Sequence, residues 1–449
     1  MKRQSLEMSI IACGGRKFLC HWLIVEPFRV HICQHGLTSR VTLCLIPTMA
    51  TEDIAVTRFR EYIRIDTEQP NPDYEKAYEF LANYAKELGL EASRVDVLPG
   101  RPMVILKLAG SQPQLKSLML YSHIDVVPTY KDKWTYPPYS ATKDANGRIY
   151  GRGTQDMKSV GIQYLEAYRK LKAGGKAQFL RTIYFVFGAD EEIGGPAMDV
   201  FVKSPEFKGL NLGFTLDEGV ASETDVYNVY YGERCPWWIE VSFQGTPGHG
   251  SRFIENDAAT KLQKFLNLAY AFRQEQKDRL NDGKLTLGDV TTINMTQLAG
   301  GVQTNVVPDV LKATFDIRVT PAMLDDFEDR LKSWCKQAGP DVTYVFTQKT
   351  VIKNLTPTTD ADPHWKVFSE TLKGLGLKFT TQIFIGATDS RYLRGNGYKS
   401  IGFSPMANTP ILLHDHDEYL DESVFLKGVD VYVKLIDNLA NISAEADSV

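Results

Sequence analysis

Four times in this chain a short apolar run stops abruptly at acids or histidine. Leu118-Met119-Leu120-Tyr121 leads into Ser122-His123-Ile124-Asp125, and the run 182–187 leads into Asp190-Glu191-Glu192. The run 210–216 leads into Asp217-Glu218-Gly219, and Ile411-Leu412-Leu413 into His414-Asp415-His416-Asp417-Glu418. An apolar run bounded by polar residues reads as a buried strand. In open α/β sheets the carboxyl ends of parallel strands border the crevice where ligands bind. The spacing therefore predicts four strand ends that crowd histidines and carboxylates around one crevice. Adjacent acids repel one another unless a cation neutralises them or they fan into water.

Helical patterns alternate with these runs. Amphipathic stretches at 54–65 and 73–88 precede strands at 103–108 and 118–121. A helix at 159–172 and strands at 182–187 and 210–216 follow. Strands alternating with helices predict a mostly parallel sheet covered on both faces. At Cys235 the texture changes to strand 237–243, helix 257–280, strands 291–298 and 310–319, helix 323–337 and strand 342–348. That β-α-β-β-α-β order is ferredoxin-like. A helix at 362–375, segments at 379–385, 400–403 and 411–413, and a closing helix at 422–442 return to α/β texture. The expected organisation is a larger α/β domain over 49–235 and 350–449, interrupted by a smaller domain at 236–349.

Bulk properties exclude some classes. A net charge of −4 over 449 residues gives no basic footprint for nucleic acid, and no apolar run approaches the ~20 residues of a membrane helix. Four of the six cysteines (Cys13, Cys20, Cys33 and Cys44) fall in the first 48 residues, and none forms a CxxC pair. The body reads as a reduced, cytoplasmic protein. Residues 1–48 are basic and unlike the rest. They are expected to be disordered or absent from the mature protein, with a targeting peptide as the alternative and Met49 as a second start.

Each chemical position has a bland alternative. His123-x-Asp125 is also a common structural strand end, Asp156 could cap the helix that follows it, and Asp190-Glu191-Glu192 could be an exposed acidic turn. Gly151-x-Gly153 opens like a dinucleotide fingerprint, but Asp156 stands where the third glycine belongs. No GxSxG, GxxxxGK[ST] or HExxH occurs. The recurrence of the acidic strand ends makes a metal centre the better reading.

The set His123-x-Asp125, Asp156, Glu191-Glu192, Glu218 and His414 resembles the metal site of the dinuclear-zinc peptidase and amidohydrolase family M20, which includes carboxypeptidases and aminoacylases. Cys235-Pro236-Trp237-Trp238 and Pro247-Gly248-His249 extend the resemblance toward the amidohydrolases of N-acyl-L-amino acids. It implies an α/β zinc-hydrolase domain with an inserted dimerisation or lid domain, hence a homodimer. It further implies two Zn²⁺ per subunit, one held by His123 and Glu218, the other by Glu192 and His414, with Asp156 shared. Glu191 would be the general base and Asp125 would orient His123 through its second ring nitrogen. His249 would reach the partner subunit's site to hold an oxyanion, Asn305 would bind substrate, and Arg391 would clamp the substrate carboxylate. Dipeptidase or carboxypeptidase activity, or a non-catalytic scaffold, are the competing functions.

Overall fold

The computed structural model describes residues 52–448, together with the backbone of four strands nearer the N-terminus, Leu6–Cys13, Arg16–Val25, Phe28–Gln34 and Val41–Pro47. Those four pair antiparallel in chain order and belong to a separate unit that ends at Ile54. The expectation that residues 1–48 are disordered or absent from the mature protein falls on a segment whose side chains lie outside the described residues.

From Ala55 onward the main feature is an eight-stranded sheet. Its order is Lys378–Phe384, Val226–Glu233, Lys399–Gly402, Leu212–Asp217, Ser117–His123, Ile183–Gly188, Arg101–Leu108, Glu91–Leu98. The four strands from Lys399–Gly402 to Ile183–Gly188 are mutually parallel. An antiparallel hairpin closes one side. On the other, a parallel pair meets Lys399–Gly402 antiparallel. Ser117–His123 is buried at every position, as expected of a central strand covered on both faces. Helices Lys158–Ala173 and Glu422–Leu439 pack together beside it, with Tyr164 and Tyr432 rings 4.5 Å apart. Gly428 permits that approach, since a Cβ there would sit 2.1 Å from Gln163 Nε2.

Two strands of this sheet escaped the sequence reading. Glu91–Leu98 is an edge strand with only exposed and half-buried positions, so it offers no apolar run. Val226–Glu233 follows Leu212–Asp217 with no helix between them, against the alternation used to place the others.

The segment from Cys235 to Lys349 has its own sheet, ordered Thr292–Gly300, Val310–Val319, Cys235–Gln244, Val342–Lys349, with every neighbour antiparallel. With helices Ala258–Asn281 and Phe327–Ala338 this is the ferredoxin-like arrangement. Alternation along the first strand sends Trp237, Ile239, Val241 and Phe243 into a core of its own with Phe265, Phe272, Phe327 and Trp334. Asp257 caps the long helix, accepting from Thr260 N at 2.9 Å. The second helix starts later than its periodicity suggested, because Pro321–Met323 forms a separate 3₁₀ turn.

One buried histidine carries a pH signature. His364 stacks on Phe214 at 5.2 Å, and burial pushes its pKa down to about 4 from 6.5, despite nearby Asp362. The folded chain keeps this imidazole neutral while the unfolded chain protonates it. Its contribution to stability is therefore complete above pH 6.5 and is lost as the pH falls toward 4, up to about 3 kcal/mol. A His364→Leu variant should lose less stability in urea melts between about pH 7 and about pH 5 than the native chain. Equal losses would show that the imidazole titration is not felt.

Candidate active site

His123 ends the most central strand, and its ring is fully buried. Its Nε2 lies 2.9 Å from Asp156 Oδ1 and 3.6 Å from Glu218 Oε2. On the other side of Asp156, His414 Nε2 is 3.3 Å from Asp156 Oδ2 and 3.1 Å from Glu192 Oε2. Two triads, His123–Asp156–Glu218 and Asp156–Glu192–His414, thus share one carboxylate, and in each the donor atoms lie within 4.8 Å of one another. Segments spread over almost 300 residues of chain meet here.

Each ligand-type residue is placed by a different local device. Asp156 sits in the loop before helix Lys158–Ala173 but does not cap it; Met157 holds the cap position and no side chain bonds there. The loop is gathered instead by Glu418. That fully buried carboxylate accepts from Gln155 N at 2.6 Å, Gly153 N at 3.2 Å and Arg152 Nη1 at 2.8 Å. Glu218 follows strand Leu212–Asp217. Adjacent Asp217 points away from it, accepting from Ser390 Oγ at 2.6 Å.

Three sequence expectations are corrected. Residues 411–413 are not a strand; His414 stands in a loop with a left-handed φ of 64°. Thr135 steadies that loop, donating to Asp417 through N and Oγ1 at 2.6 and 2.7 Å. Glu191 and Glu192 occupy a 3₁₀ turn, Glu191–Ile193, rather than extending a strand. The third correction is Asp125. Its carboxylate does not take the second ring nitrogen of His123, which lies 2.8 Å from the Asp125 backbone carbonyl and 3.7 Å from the nearer carboxylate oxygen. The strand ends at His123, so two-residue alternation no longer governs Asp125. The buried carboxylate accepts instead from Glu191 N at 3.1 Å, Glu192 N at 3.3 Å and Gln69 Nε2 at 2.8 Å. Asp125 thereby sets the acidic turn against the histidine, its carbonyl serving one and its carboxylate the other.

The electrostatics are those of a site short of positive charge. Burial, then Glu218, pushes the Glu191 carboxyl well above its ordinary range; burial, then Asp156, pushes Glu192 up to about 7. Burial would lower the His123 pKa, but Glu218 and Asp156 raise it well above normal. Hydrogen bonds to Asp156 and Glu192 take His414 up to about 10. Asp156 is held low against its burial by the two imidazoles. Glu192 Oε1 is buried without a hydrogen-bond partner. An orphaned carboxylate oxygen within a mixed imidazole–carboxylate set fits a pair of cations such as Zn²⁺.

The triads open into a cavity of about 720 Å³ that Glu191 and Arg391 also line. Arg391, on helix Ser390–Gly395, donates from Nη2 to Gly194 O at 2.7 Å and lies over the Tyr392 ring. His249 and Asn305 are brought together with each other but not with the triads. Strand Gly248–His249 pairs with Val306–Val307, and Gly250 N donates to Asn305 O at 2.8 Å. Both are exposed, and neither borders the cavity. His416, two residues beyond His414, packs edge-on to Tyr130 and joins neither triad. Sequence reasoning missed Glu418 and Gln69 as organisers; the first was visible only as the last acid of the 414–418 cluster, the second not at all.

The model of peptidase family M20/M25/M40 matches residues 119–438. Aminoacylase-1 of Sus scrofa is 51% identical over 395 residues, covering 88% of this chain and 97% of the pig protein. Aminoacylase-1 of Homo sapiens is 48% identical over 396 residues, with coverage of 88% and 97%. Among solved structures, an M20 family metallo-carboxypeptidase from Sulfolobus solfataricus superposes with a TM-score of 0.64 at 17% identity, over 86% of this chain and 99% of that one.

Because Glu418 gathers the loop bearing Asp156, Glu418→Gln should weaken binding of a divalent metal at the triads by about 10–100-fold. Competition with a chromogenic chelator measures this. Affinity within twofold of the native chain would remove Glu418 from the role of organiser.

Proposed function

This chain belongs to peptidase family M20/M25/M40, and we propose that it hydrolyses the amide bond of N-acyl-L-amino acids, releasing a carboxylate and a free L-amino acid. Near-50% identity to aminoacylase-1 proteins over almost their whole length supports that reaction. The observation that carries the mechanism is the pair of triads sharing Asp156, with Glu191 beside them on the cavity wall.

His123 and Glu218 would hold one zinc ion, Glu192 and His414 the second, and Asp156 both. Bound there, the ions would supply Lewis-acid polarisation of the scissile carbonyl and a water that deprotonates near neutrality. The remaining work falls to the chain itself. Glu191 takes the proton from the attacking water and hands it to the amide nitrogen as the C–N bond breaks. Asp125 holds the 191–192 backbone so that one carboxylate faces the ligand cluster and the other the cavity. Arg391 offers forked N–H donors to the substrate carboxylate, its plane steadied by Gly194 O and Tyr392.

His249 and Asn305 belong in this reading to a second copy's site. Both are exposed on one loop pair of the inserted domain (236–349), which supports a homodimer formed through that domain. There His249 would stabilise the developing oxyanion and Asn305 would bind substrate. Cys235 and Cys335 are buried free thiols, and no described helix is long and apolar enough to cross a membrane. The two thiols support a cytoplasmic enzyme. The likeness to peptidase structures at under 20% identity speaks for the fold alone and adds nothing to a dipeptidase reading.

Glu191→Gln should retain two zinc ions per chain while turnover of N-acetyl-methionine falls by about 100–10,000-fold, the span of general acid–base catalysis. Metal analysis alongside steady-state kinetics tests it. A zinc-replete variant with near-native turnover would remove Glu191 as the base. Faster cleavage of unblocked dipeptides than of N-acetyl-methionine by the native chain would favour the peptidase function.

A further inference from the structure

Trp237 and Trp238 are neighbours with opposite surroundings. Trp237 is 1% exposed in the core of the inserted domain, whereas Trp238 is 41% exposed on the sheet face that no helix covers. Cross-strand register fixes what lies beside it. Trp238 stands opposite Asp316 on one neighbour and Gln348 on the other, and Pro236 stands opposite Arg318. Pro236, Trp238, Arg318 and Gln348 all border the cavity that contains Asp156 and Glu191. The end of this open sheet face is therefore a wall of the catalytic cavity, which apolar residues of the larger domain such as Phe384 and Ile411 also line.

Charge on this wall is masked. Arg318 Nε donates to Asp316 Oδ1 at 2.7 Å and Nη2 to Asp316 Oδ2 at 3.0 Å, a two-point pairing along its own strand. Both side chains are about 30% exposed, so the pair is wet and holds its geometry through the fork rather than through burial. Arg391, by contrast, has no carboxylate bonded to it; its guanidinium bonds a backbone carbonyl. Of the two cavity arginines, one is open to an anion and the other is already satisfied.

We propose that Trp238 and the Asp316-masked Arg318 form a selectivity wall that receives the uncharged, apolar arm of the substrate and turns away a second carboxylate. The inference deepens the amidohydrolase reading and rests on it. Apolar contact with the indole favours longer arms, because each methylene withdrawn from water strengthens binding about fourfold. Asp316 keeps the wall neutral, so an acyl group ending in a carboxylate finds no free partner there.

The test measures kcat/KM for the zinc-loaded native chain, Trp238→Ala and Asp316→Asn. The substrates are methionine acylated with formyl to hexanoyl groups, N-acetyl amino acids from glycine to norleucine, and N-succinyl-methionine. Trp238→Ala should flatten the length dependence by about tenfold in one series, and that series identifies the arm as acyl or side chain. Asp316→Asn should raise the succinyl-to-acetyl ratio about tenfold, as a freed charged donor would. Gel filtration and melting temperature accompany each variant. Equal loss of every substrate by Trp238→Ala, with or without a change of oligomeric state, overturns the wall. An unchanged succinyl-to-acetyl ratio overturns the masking. A native chain that is inactive on every N-acyl amino acid overturns the parent reading and this inference with it.

Discussion

Everything at the catalytic end of this protein depends on one carboxylate standing between two imidazoles. Asp156 is hydrogen-bonded to His123 on one side and His414 on the other, while Glu191, Glu192 and Glu218 crowd the same space. Four buried or half-buried acids against two histidines and Arg391 leave a surplus of negative charge that a protein interior penalises. Cations held between the triads would relieve that surplus. The surrounding groups are accordingly spent on holding oxygens apart and in place, through Asp125 for the 191–192 turn and Glu418 for the 152–156 loop.

The sheet makes that placement rigid. His123 and Glu218 stand at or just beyond the ends of adjacent parallel strands, and the Glu191 turn follows the strand on the other side of His123. Their separation is set by backbone hydrogen bonding rather than by flexible loops. Asp156 and His414 do come from loops. These are the segments that receive extra anchoring, from Glu418 and Arg152 to one and from Thr135 to the other.

Much of this was legible in the sequence because burial writes a plain pattern. Uninterrupted apolar runs such as 118–121 and 182–187 mark the central strands, and acids after them stand in the two triads. The pattern failed where burial is partial or where structure is irregular. The edge strand Glu91–Leu98 has no apolar run. Ile411-Leu412-Leu413 is apolar because it borders the cavity, not because it joins the sheet. Asp125 departs from the role that alternation assigns it: the strand ends at His123, two residues short of it, and its carboxylate turns to the backbone of the acidic turn. Gln69, paired to that carboxylate from a distant loop, carries no local signal.

The order in which the parts occur along the polypeptide has a further consequence. His123, Asp156, Glu192 and Glu218 lie in the first half of the chain, whereas His414 and the Glu418 that secures the 152–156 loop lie within its last forty residues. During translation, a growing chain displays three acids and one imidazole for the whole time the inserted domain is being made, without the elements that lock them. A competent centre can close only after the inserted domain has been made, so hydrolytic power waits on a segment that starts 196 residues beyond Glu218.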